Sequence, residues 1–238
     1  MVTADNFTML PPSHPYYPEG VLLSEEFIGN TWSVPTLILT FATGCALLLF
    51  VTFVAVRHAN PALKPPDQWK VLWFVLTGSI HVFFEGYFVY NHSRMPSMQD
   101  FFGQLWKEYA LSDSRYMSSD SLVLCTESLT VLTWGPLSLL TAVLITRQSQ
   151  FRHPVQALVS TGHFYGNLIY YSTCLYEGFA LGKRYYRPEP YYFWWYFVLM
   201  NTFWLVIPAI CLSNSISASA NAFAVADKVN DGPEKKRT

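Results

Sequence analysis

The sequence predicts an all-α membrane protein, a five-helix transmembrane bundle enclosing an intramembrane cavity. Three observations predict it. Apolar residues make up 51% of the 238 and charged residues only 13%, about half the charged share of an ordinary globular chain. Five segments are long and apolar enough to cross a bilayer, which takes about 20 residues. None shows the polar stripe that a helix at the surface of a soluble protein carries. The mean hydropathy, +0.20, is modest because polar ends and connections dilute it.

Residues 1–34 form an acidic N-terminal tail with Asp5, Glu19, Glu25 and Glu26 and no Lys or Arg. The tail lacks the basic start and continuous apolar core of a cleavable signal peptide. The transmembrane domain spans 35–216. Its first segment, Pro35–Val56, contains no charged residue, and the second, Val71–Tyr90, contains only His81 and Glu85. Ser121–Thr146 contains only Glu127, and Pro154–Phe179 is more polar, with His163, Asn167 and Glu177. Tyr191–Ile216 is uncharged, and 217–238 form a C-terminal tail.

Orientation follows from basic residues, which favour the cytosolic side. Arg57, Lys64 and Lys70, then Arg147 and Arg152, then Lys228, Lys235, Lys236 and Arg237 fall on one side if five helices cross. Arg94, Lys107, Arg115, Lys183, Arg184 and Arg187 oppose them. The expected arrangement is a lumenal N-terminus and a cytosolic C-terminus in a multi-pass protein of the endoplasmic reticulum. Lys235 and Lys236 stand fourth and third from the end, like a dilysine retrieval signal, and the sequons at Asn6 and Asn91 fall on the lumenal side. Cys45, Cys125, Cys174 and Cys211 lie in separate segments with no CxxC pair, so reduced, buried packing residues are expected.

Each charge at mid-membrane costs about 2.5–3.5 kcal/mol on insertion scales, so intramembrane ionisable residues mark sites facing the bundle interior. His81 and Glu85, four apart, share one helix face about 6 Å apart. Together they read either as a hydrogen-bonded staple between helices or as a proton-handling pair. Glu127, Thr130 and Trp134 make a second polar stripe, and Asn201 and Trp204 share a face of the last segment. His163 and Asn167 form a further i, i+4 pair, with structural and functional readings in balance. GxGxxG, P-loop, HExxH, GxSxG and His-rich patterns are all missing, which removes the usual parts of hydride transfer, phosphoryl transfer and zinc hydrolysis. Two carboxylates, an imidazole and aromatic rings suit proton addition and removal on an apolar molecule. The rings can face a cation.

The stretches IHVFFEG (80–86), QLWKEYALSDSRY (104–116), CTESLTVLTWGPLSL (125–139) and YFWWYFVLMNTFW (192–204) resemble the emopamil-binding protein family. The resemblance runs in order from about residue 70 to 210. It implies a five-helix protein of the endoplasmic reticulum that shifts a double bond in the sterol B ring from Δ8 to Δ7, by protonation at C9 and deprotonation at C7. No cofactor, metal or nucleic acid is implied; a sterol substrate, lipophilic cationic amines as inhibitors, the lipid bilayer and a second copy in a homodimer are. By position, the resemblance assigns His81, Glu85 and Glu127 to catalysis, and Thr130, Asn201 and Trp204 to the pocket, which Trp134 lines with them. Trp106 and Tyr116 fall in a loop over the pocket mouth. Tyr87 replaces a Trp and Asn167 an Asp of the family pattern. The competing reading is a sterol- or amine-binding or trafficking protein of the same family without catalysis.

Overall fold

The structure, a computed structural model, describes residues 14–230. Among them the architecture is helical throughout, without strands. Helix α1, Val34–Ala59, starts where the Ser33 side chain accepts the Thr36 N–H, with proline in its first turn. Helix α2, Pro65–Ser97, starts on two prolines with Asp67 in the first turn, widens into a π-helical segment at Ile80–Glu85 and ends in 3₁₀ turns. The short α3, Phe101–Tyr109, is capped by Asp100, which accepts from the Gly103 N–H. Asp120 caps α4, Ser121–Thr146, through the N–H groups of Leu122 and Val123, and α4 has its own π segment at Thr130–Trp134. Helix α5, Arg152–Ala180, stops where Gly182, at φ +69°, turns the chain and Lys183 N–H returns to the Glu177 carbonyl at 2.9 Å. Helix α6, Tyr192–Asn230, opens with a third π segment at Tyr192–Leu199.

Four of these helices, α1, α2, α4 and α6, are both long enough and apolar enough to cross a membrane. The sequence reading expected five crossings. The remaining long helix, α5, has 29 residues but spends several of them on polar groups. It packs along α6. Asn60, just after α1, donates to Thr146 O at 2.8 Å, and Arg187 N–H meets Leu111 O at 3.0 Å. Helix α6 continues to Asn230, well beyond Ile216. The sequon at Asn6 and the Lys235–Lys236 pair lie outside the described residues.

Two contacts set the frame for the interior. Helices α2 and α4 approach closely at Gly78 and Gly135: a Cβ on Gly135 would lie 2.8 Å from Val82 Cγ2 and 3.2 Å from His81 Cβ. Small residues permit such approach, as at helix interfaces in lipid. Helix α5 is tied to α6 by Gln156, which donates to Cys211 O at 2.8 Å and Ser215 Oγ at 2.7 Å. Helix α1 lies at the periphery, with Leu39, Leu47, Phe50, Val51 and Val54 exposed. The cysteine expectation is corrected in part. All four are free, but only Cys174 and Cys211 are buried, while Cys125 is exposed, because its position on α4 faces away from the neighbouring helices.

A polar cap closes one end. Residues 14–33 pack against α3: Tyr16 OH donates to Lys107 O at 3.0 Å, and Gln104 Oε1 accepts from Thr31 N at 2.7 Å and Trp32 N at 2.9 Å. Lys107 Nζ donates to Ile28 O at 2.6 Å, and burial brings its ammonium down to about 8 against the opposing pull of Asp100. Arg115 and Asp113 form a buried ion pair, Nη2 to Oδ2 at 2.6 Å and Nε to Oδ1 at 2.9 Å. The Arg115 guanidinium also faces Tyr170 at 5.1 Å and Tyr185 at 5.3 Å. Replacing one partner of a buried pair leaves an uncompensated charge, at a cost of about 3–5 kcal/mol. Asp113→Asn therefore lowers the melting temperature of the detergent-solubilised protein by several degrees, and adding Arg115→Gln recovers part of the loss. Unchanged melting in the single variant contradicts this account of the cap.

Candidate active site

The second helix carries the centre of the site in its π segment. The wider turn still leaves His81 and Glu85 on one face, and His81 Nδ1 lies 2.7 Å from Glu85 Oε2. The other imidazole nitrogen, Nε2, has two neighbours at 3.1 Å, Thr77 Oγ1 one turn earlier on α2 and His163 Nε2 on α5. Trp204 on α6 donates its indole N–H to Thr77 Oγ1 at 2.9 Å, which holds its ring 6.2 Å from the His81 ring. One imidazole thus joins three long helices.

The acidic half of the site lies between α2 and α4. Glu127 accepts from Tyr116 OH at 2.7 Å, and the π segment that carries Glu85 packs against the π segment that follows Glu127. Around Tyr116 is an aromatic cluster with Trp106 at 4.7 Å, Phe88 at 5.0 Å and Tyr109 at 5.7 Å. Trp106 stacks on Phe84 at 4.4 Å and donates Nε1–H to the Phe84 carbonyl at 2.9 Å, a carbonyl within the π segment. Asn201 donates to Tyr109 OH at 3.2 Å, and Asn167 donates to Asn201 O at 2.7 Å.

Three placements add to the sequence reading. Tyr116, expected over the mouth, is hydrogen-bonded to Glu127 where the 3₁₀ turn Ser114–Tyr116 folds the cap inward. Trp134 leaves the stripe of Glu127 and packs against Gly162, where a Cβ would meet its ring at 2.6 Å. The cause is the π segment Thr130–Trp134: a wider turn advances each residue by less rotation than the 3.6-residue helix assumed. Thr130 returns its hydroxyl to the Thr126 carbonyl at 2.9 Å and makes no side-chain bond to Glu127. The groove of about 250 Å³ between α5 and α6, lined by Phe164, Leu212 and Ile216, lies away from the carboxyls. It is smaller than ordinary ligand pockets, about 300–1,000 Å³.

Two partners of the site, Thr77 and Tyr109, are not singled out by the sequence, and a third, His163, is singled out without its contact. Thr77 sits i−4 from His81, so the spacing rule that paired His81 with Glu85 could have found it. Tyr109 follows Trp106 by one turn of α3. His163 was noticed, but its contact with His81 depends on how α5 packs on α2, which no local pattern encodes.

Residues 101–215 match the family model described as EXPERA (EXPanded EBP superfamily). The chain is similar to the 3-beta-hydroxysteroid-Delta(8),Delta(7)-isomerase of Rattus norvegicus, 37% identical over 92% of this chain and 94% of the rat protein. The chain belongs to the emopamil-binding protein family. Another member, from Oryza sativa subsp. japonica and named a probable isomerase of the same type, is 32% identical over 90% of this chain and 95% of its own length. A protoglabretal synthase of Citrus sinensis is 33% identical over 69% of this chain and 75% of its own length.

The Thr77 hydroxyl gives the site a structural test within this family fold. Thr77→Val removes the acceptor of the Trp204 indole N–H, and a buried group left unpaired costs about 1–3 kcal/mol. Melting in detergent is expected to fall for Thr77→Val and to stay near wild type for Thr77→Ser. Equal melting of the two variants would show that the bond contributes nothing.

Proposed function

We propose that the protein is a sterol Δ8–Δ7 isomerase of the endoplasmic-reticulum membrane, crossing it five times with the N-terminus lumenal. The observation that carries this reading is the buried His81 bonded to Glu85 on α2, with Glu127 on the adjoining α4, inside otherwise apolar helices. Relatives of similar length that bear the name of this isomerase support it. Such a reaction needs proton transfer and no redox partner. A proton from the set adds to C9, the electron pair of the C8=C9 bond forms the new C–H bond, and a cation is left at C8. The C7–H bond then gives its proton to a second member of the set, and its electron pair forms C7=C8. Protons balance over the cycle.

Electrostatic stabilisation of a developing cation is strongest where water is excluded. Glu127 and Glu85 supply the negative counter-charge, and the Trp204 ring adds its π face. Tyr116 orients the Glu127 carboxyl. A site complementary to that cation also binds lipophilic amines, whose ammonium mimics the C8 centre. The plant relatives named as synthases favour a second reading, in which the same acid–base site acts on another polycyclic substrate.

One incubation separates these readings from a binding module. Membranes containing the protein are given a Δ8 sterol in heavy water. The proposal expects a Δ7 product with deuterium at C9; a sterol that binds and returns unchanged overturns it. Glu85→Gln and Glu127→Gln preserve shape but cannot exchange a proton, so each loses at least about a hundredfold in turnover while remaining folded and membrane-inserted. Near-wild-type turnover in both variants eliminates the acid–base scheme.

A further inference from the structure

We propose that His163 is a positioning residue, which donates its Nε2–H to His81 Nε2 and so fixes the remaining His81 proton on Nδ1, facing Glu85. The inference deepens the acid–base reading above and rests on it for its kinetic consequence only. Its basis is proton accounting. The two Nε2 atoms lie 3.1 Å apart, with ring centroids 4.8 Å apart. At that separation one nitrogen must carry a hydrogen and the other must present a lone pair.

The buried Nδ1 of His163 decides which. It has no hydrogen-bond partner among the described residues. A neutral imidazole carries its hydrogen on one nitrogen, and a hydrogen on Nδ1 would be a buried donor without an acceptor. Such orphaned N–H groups are rarer than unfilled acceptor positions. The hydrogen of His163 therefore sits on Nε2 and points at His81. Thr77 Oγ1, 3.1 Å from the same His81 nitrogen, accepts from Trp204 and keeps both a lone pair and a hydrogen, so it accommodates this tautomer. His81 is left with its hydrogen on Nδ1, 2.7 Å from Glu85 Oε2.

This arrangement has a direct consequence for proton flow. Taking a second proton on Nε2 would set two N–H groups against each other, so His163 opposes protonation of His81 on the side away from Glu85. Protons are then exchanged only along the His81–Glu85–Glu127 edge, where the carboxyls stand. His163 acts through His81 and touches no substrate atom in this scheme.

The test reads the tautomer directly. ¹⁵N NMR of histidine-labelled protein in nanodiscs resolves the two nitrogens of each of the six histidines, with His81→Gln identifying the His81 signals. Wild type and His163→Gln, whose amide can still donate, are expected to show His81 protonated at Nδ1. His163→Leu, which cannot donate, is expected to lose that preference and at least about tenfold in kcat with little change in KM. An unchanged His81 tautomer in a folded His163→Leu protein overturns the proposal, whether or not the protein proves to be an isomerase. A His163→Gln variant that has lost the Nδ1 preference overturns it as well.

Discussion

Ionisable side chains inside helices that face lipid must find their partners in each other. An unpartnered charge in hydrocarbon is expensive, and no water is available to compensate it. The structure meets this constraint with two sets of contacts side by side. Trp204 bonds to Thr77, Thr77 and His163 meet His81, and His81 meets Glu85, while Tyr116 meets Glu127 on the adjoining α4. These residues come from α2, α4, α5, α6 and the cap. The same bonds that satisfy the buried groups therefore hold the bundle in register.

Backbone irregularity makes that convergence possible. All three π segments lie next to site residues: Ile80–Glu85 contains His81 and Glu85, Thr130–Trp134 follows Glu127, and Tyr192–Leu199 precedes Asn201 and Trp204. Such segments are rare in helices and recur at functional sites. A widened turn weakens the local ladder, and here the cap compensates, since Trp106 gives its indole N–H to a carbonyl of the first π segment. The close approach at Gly78 and Gly135 then brings α4 against that segment. Site and cap are thus coupled through the aromatic cluster around Tyr116.

Much of this was legible in the sequence, for physical reasons that can be named. The positions of the long helices followed from apolar length, whereas the caps at Ser33, Asp100 and Asp120 and the short helix α3 came only with the structure. The His81–Glu85 contact followed from i, i+4 geometry. What failed to show were consequences of tertiary packing. Trp134 packs on Gly162 of α5, beside His163, where a π segment alters the helical period, and Tyr116 turns inward because residues 14–33 and the Arg115–Asp113 pair bind the cap to the bundle. The role of His163 was invisible because α5 and α2 are far apart in the chain and meet only after folding.

The central claim is that the Glu85–Glu127 pair forms the counter-charge for a cation inside the bundle. A structure of the protein with a lipophilic tertiary amine bound measures this most directly. The account places the ammonium within about 4 Å of both carboxyls, the range of a direct ion pair, with the Trp204 side of the site against it. An ammonium found elsewhere, for example in the groove by Phe164 and Ile216, would contradict the claim.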